Sequence, residues 1–171
     1  MSKFELGKGR GMHPDEMHAF LTETKIFAKV ATTNEDGWPY ANPVWYEYDD
    51  GGFYIVTKEL AGLTRNLRRD PRCSILIDNP EPPYKRVLVM GEGQFVEEDW
   101  EERARRMVLR YLGEGGLDYF EATKHLPRVT IRVQPVKTTS WNGGGVDRTF
   151  HEPTKWHDVE QGGPVEAAAQ Q

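Results

Sequence analysis

Thr57 and Lys58 close a β-rich run, and Arg65, Asn66 and Leu67 follow on the next stretch of chain. A hydroxyl, an ammonium, a guanidinium and the backbone N–H groups of a helix start can together surround a phosphate with charge-assisted hydrogen bonds. The plainer alternative is a solvated basic helix beside a β-turn, and the residues alone leave both open. Other groupings carry less chemistry. His13 and His18, or His151 and His157, lack acidic or cysteine partners at metal-ligand spacing, so exposed histidines are the simpler reading. Ser74 and Ser140 stand in no nucleophile-elbow context. Glu97, Glu98 and Asp99 read as a helix N-terminus rather than a catalytic pair. The glycines at 143–145 follow a strand with no helix behind them, which excludes the usual nucleotide fingerprints and reads better as a flexible lid.

The elements that must position these groups are legible from turns and periodicity. Pro14 to Leu21 has proline and acids at its start and Met17, Phe20 and Leu21 on one face, a short helix. Two hairpin signals, Asn34-Glu35-Asp36-Gly37 and Asp49-Asp50-Gly51-Gly52, separate strands expected at Ile26 to Thr33, Tyr40 to Tyr48 and Phe53 to Thr57. Leu60 to Arg69 reads as a basic helix stopped by Pro71. A strand at Cys73 to Ile77 leads into a proline-rich loop, and a long one follows from Arg86 to Val96, where Gly91 and Gly93 mark a bulge or a close backbone approach. Helices are expected at Glu98 to Leu112 and Leu117 to His125, and a last strand at Arg128 to Thr139. Beyond Asn142 the chain turns Gly-rich and then polar. The expected division is therefore a folded domain over 1–141 and a lid and tail over 142–171.

Composition narrows the function classes. A chain of 171 residues can bury one core without disulfides or metal. The lone Cys73 fits a reducing compartment, and no apolar run long enough to cross a bilayer and no signal region is visible, so the cytoplasm is the expected location, without membrane partners. A formal net charge of -5 argues against nucleic acid, whereas the local cluster Arg65, Arg68 and Arg69 suits one small anion. Short antiparallel strands interrupted by helices point to a mainly β fold with peripheral helices, an antiparallel barrel rather than a plain sandwich. Exposed edges make a homodimer the default.

The order strand, strand, strand, basic helix, strand over 26–71 resembles the N-terminal half of the pyridoxamine 5'-phosphate oxidase-like family, split β-barrels that bind FMN or its deazaflavin analogue at a dimer interface. The segments NLRRDP, PPY and RYLGEGG are most similar to the subgroup that uses the deazaflavin F420. The resemblance implies that Thr57, Lys58, Arg65 and Asn66 hold the cofactor phosphate. The position where the family usually carries a phosphate-binding lysine falls here at Leu63, leaving Lys58 and Arg65 as substitutes. It further implies that Asn42, Pro43, Val44, Trp45 and Tyr46 run along the ring edge, with Val44 and Tyr46 on one face and Trp45 on the other. Ordinary barrel core is the competing account of these aromatics. Arg86 matches a position that reaches the ring, or is a surface arginine after the proline loop. Trp141, Arg148 and His151 resemble, at altered spacing, a segment that closes over substrate, and that departure speaks against pyridoxamine phosphate as substrate. The implied activity is a homodimeric F420- or FMN-dependent oxidoreductase passing hydride to or from a small conjugated or carbonyl molecule, with no side-chain nucleophile. The alternative is a flavin or haem holder without turnover, in which haem would require a histidine facing the cleft.

Overall fold

The computed structural model describes residues 11–97 and 100–143. Alternating apolar residues and tight turns produce β1 (Ala28–Thr33), β2 (Pro39–Val44), β3 (Glu47–Asp49), β4 (Gly52–Lys58), β5 (Arg72–Asn79), β6 (Lys85–Val96) and β7 (Arg128–Asn142). Helices α1 (Pro14–Glu23), α2 (Gly62–Arg69), α3 (Trp100–Leu112) and α4 (Leu117–Thr123) are interspersed, with a single 3-10 turn, Glu114–Gly116, before α4. No helix among the described residues is long and apolar enough to cross a membrane.

The strands form one seven-stranded antiparallel sheet in the order β2-β1-β5-β6-β7-β4-β3, curled into a half-barrel consistent with a split barrel. Its inner face carries Val30, Ile55, Ile75, Ile77, Val87, Val89, Ile131 and Val133, all 0% exposed, and α1 and α2 close the core with Phe20, Leu21, Leu63 and Leu67. The second hairpin has Asp50 and Gly51 at φ 45° and 68°, the paired left-handed conformations that a two-residue loop of this kind requires. Both expectations for the β6 glycines are realised. The register slips between Met90 and Gly91, and a Cβ on Gly91 would lie 2.6 Å from the Gln134 carbonyl oxygen. At Gly93 a Cβ would meet Leu67 Cδ1 at 3.2 Å, so the glycine lets α2 settle onto the sheet.

One expected strand is two. Tyr40 to Tyr48 breaks at Trp45 and Tyr46 because the backbone of Tyr46 bonds to α3 instead of a strand: its N–H donates to Tyr111 Oη at 3.4 Å and its carbonyl accepts from Arg110 Nη1 at 3.1 Å. The last strand runs past Thr139 to Asn142, whose Nδ2 donates to Glu16 Oε1 at 2.6 Å, and Gly143 N–H donates to the Tyr84 carbonyl at 2.9 Å.

β3 is tied to α3 by Glu47, which accepts from Arg103 and from Arg106 Nε, the latter at 2.8 Å. Burial alone would raise the Glu47 carboxyl, but the Arg106 hydrogen bond and the two guanidinium charges outweigh it and hold the group below its ordinary 4.5. A depressed folded-state value means stability that is fully present above the unfolded value and lost as pH falls through the folded one. Glu47→Gln should therefore cost about 1–3 kcal/mol at neutral pH by removing the carboxylate that both Arg103 and Arg106 bond. The gap to wild type should shrink below pH 4.5, as denaturant midpoints in both regimes would reveal. An equal gap at both pH values would refute the assignment.

Candidate functional site

The two ends of the sheet face one another, and between them lies a cavity of about 410 Å³. The edge of β2 supplies Asn42, Pro43 and Val44, with Trp45 just beyond; the end of β4 supplies Val56, Thr57 and Lys58; α3 and α4 add Met107, Val108, Tyr119 and Phe120. The volume lies in the range of roughly 300–1,000 Å³ usual for small-molecule sites. Its residues fall into two chemical groups. The Trp45 ring stacks on Tyr111 with centroids 5.3 Å apart and planes 7° apart, and Tyr119 meets it edge-on at 6.3 Å, giving a flat aromatic wall. Lys58 and Arg128 supply cations, and Thr57 and Thr123 also line the cavity. Among the described residues, no histidine or cysteine lines this cavity, and no group of three His, Cys, Asp or Glu able to hold a metal occurs.

Asn42, Pro43, Val44, Trp45, Thr57 and Lys58 are thus brought together, and the other expected site residues that the structure describes lie elsewhere. Tyr46 is 0% exposed in the core, where its hydroxyl donates to the Leu21 carbonyl at 2.9 Å and burial pushes its pKa up to about 12. Arg65 and Asn66 border a separate depression with Asn34, Glu35, Asp36 and Arg69. There Arg65 Nη1 donates to the Leu60 carbonyl at 2.6 Å, and the buried Asn66 donates to Thr32 Oγ1 and Asn34 Oδ1 at 3.1 and 3.0 Å, fastening α2 to the first hairpin. Arg86 and Trp141 are register partners on β6 and β7, the guanidinium 5.8 Å from the indole centroid, so Trp141 is a strand residue and neither lines the cavity. Arg148 and His151 lie outside the described residues.

A family model described as pyridoxamine 5'-phosphate oxidase matches residues 13–142. The chain belongs to the pyridoxamine 5'-phosphate oxidase family. Among solved structures it is similar to a conserved hypothetical protein from Mycobacterium tuberculosis, at 28% identity and TM-score 0.65 over 77% of this chain and 86% of that one. Two further folds match: an F420 reductase, at 22% identity and TM-score 0.57 over 70% and 94% of the two chains, and the haem storage protein HutZ from Vibrio cholerae, at 20% and 0.60 over 79% and 98%.

Within this pyridoxamine 5'-phosphate oxidase family member, Leu63, where the resemblance led us to expect a lysine, is 0% exposed and packed into the core. Cationic groups at the cavity come instead from the strands. Sequence reasoning missed Arg128, which opens β7 and carries no local motif, and it missed the role of α3. Arg110 Nη2 donates to the Leu21 and Thr24 carbonyls at 2.7 and 2.6 Å, and Tyr111 Oη donates to the Ile26 carbonyl at 3.2 Å. Burial raises the Tyr111 phenol, which keeps it a protonated donor. Together with their bonds to Tyr46, these two residues fix the end of α1, the approach to β1 and the break after β2, and so hold the Trp45 wall in place.

Proposed function

We propose that the cavity takes the ring of F420 or FMN and that the protein is an oxidoreductase, exchanging hydride with a small conjugated or carbonyl substrate. The observation that carries this reading is the pairing, in one cavity, of a flat aromatic wall at Trp45 with a cationic group at Lys58 and Arg128. That combination suits a planar ring bearing an anionic tail. When bound, such a ring supplies the redox chemistry, and the protein orients it and sheds water from its faces. Trp45, Val44, Met107 and Phe120 provide the apolar surface, Thr57 and Asn42 can hydrogen-bond at its rim, and Lys58 neutralises charge. The likeness to an F420 reductase fold agrees with this reading.

Haem storage is the second reading, favoured by the likeness to HutZ. It sits less well with the described lining of the cavity, in which Met107 is the sulfur donor and no imidazole occurs. We further take the working form to be a homodimer, since Trp38, Met90 and Val136 leave large apolar side chains 72%, 53% and 73% exposed. Titrating the protein separately with FMN, F420 and haem decides among these. Saturable binding of FMN or F420, read as altered absorbance or fluorescence, is the expected result. Haem binding alone would establish the storage reading, and binding of none would remove both.

A further inference from the structure

We infer that Arg128, acting with Lys58, is the anion-holding residue of the cavity, and that the positive charge this site needs comes from the β4–β7 strand pair rather than from helix α2. The inference rests on the ring-binding reading above for the identity of the ligand, but not for the existence of the anion site. Lys58 and Arg128 are direct partners in the antiparallel register of β4 and β7. Directly opposed residues of such a pair project to the same side, and like charges placed this way repel. Both side chains line the same cavity, and among the described residues neither has an ion pair. Two cations held together by the sheet, with no carboxylate among the described residues that line the cavity, form a preset receptor for a phosphate group.

Helix α2 is poorly placed to do the same. Leu63 is in the core, Arg69 is committed to the Thr33 carbonyl, and Arg65 donates to the Leu60 carbonyl beside Glu35 and Asp36, whose negative charge opposes an anion. The guanidinium of Arg128, by contrast, stands 5.9 Å from the Trp100 ring centroid, a contact that positions it without consuming its hydrogen-bond donors.

The test compares Arg128→Gln, Lys58→Gln and Arg65→Gln with wild type in titrations with FMN and F420. Arg128→Gln should weaken binding by about tenfold or more, the loss expected for one charge-assisted partner, and Lys58→Gln by a similar factor. A loss in Arg65→Gln with none in Arg128→Gln would overturn the inference and return the anion to α2. If wild type binds neither ring compound, the ring-binding reading fails, and inorganic phosphate judges the site alone. Phosphate should then raise the melting temperature of wild type above that in chloride of equal ionic strength, and Arg128→Gln should abolish the difference. An equal phosphate response in both proteins would overturn the site. Should Arg128→Gln fail to fold, Lys58→Gln serves in either arm, with loss supporting and full retention opposing.

Discussion

Arg110→Met should lower the melting temperature by roughly 10 °C, corresponding to a loss of about 3 kcal/mol. Methionine keeps much of the packing of the arginine stem but removes every donor. The carbonyls of Leu21, Thr24 and Tyr46 then lose their guanidinium partners, and the cation centred 4.9 Å from the Tyr46 ring and 5.3 Å from the Tyr111 ring disappears. The Leu21 carbonyl retains the Tyr46 hydroxyl as a donor at 2.9 Å, and the Tyr46 carbonyl keeps the Tyr111 hydroxyl at 3.5 Å. Arg110→Lys should recover part of the loss, because one ammonium can still reach two carbonyls though not three. A melting temperature within the scatter of wild type would mean that water satisfies these carbonyls and that α3 does not brace the sheet end.

The largest effect on ligand affinity is expected from Trp45→Ala. The substitution removes the flat wall of the cavity and exposes the face of Tyr111 on which it stacks. Losing a central aromatic contact costs about 2 kcal/mol or more, so affinity for whichever ring compound wild type binds should fall roughly thirtyfold or further. Stability should suffer less, since the indole is only half-buried. Trp45→Phe should restore most of the affinity. Unaltered binding in the alanine variant would place the ring somewhere other than against β2.

Elements set by local chemistry were legible in the sequence, and contacts made at a distance were not. Asp50 and Gly51 announce their hairpin because few residue pairs accept two positive φ values in succession. Gly91 and Gly93 announce a crowded backbone, since a Cβ would collide with the Gln134 carbonyl at the first and press on Ile131 and Leu67 at the second. The run from Tyr40 to Tyr48, however, keeps an alternating pattern straight through its break, since the cause of the break lies on α3 in Arg110 and Tyr111. The cavity shows the same division. Asn42 to Trp45 and Thr57 to Lys58 could be found from strand order and family resemblance. The same resemblance implied Arg65, which the fold carries to a separate depression, while Arg128 arrives from far downstream through the register of β7. A basic residue at the start of a strand gives no local sign of what will stand across from it.

The position of β2 and β3 bears on how the molecule folds. These strands are consecutive along the chain, separated only by Trp45 and Tyr46, yet they occupy opposite ends of the sheet order. The hairpins β1–β2 and β3–β4 can each form early from near neighbours, but β4 cannot enter the sheet until β7 is available to pair with it, Phe53 with Val133 and Lys58 with Arg128. Such distant pairings pay their loop-closure entropy before they return any contact energy, which makes them slow. The cavity draws its walls from both hairpins, so it comes into being only when that final zippering is complete. In a refolding experiment, recovery of ligand binding should lag the recovery of hairpin structure and coincide with the slowest folding phase.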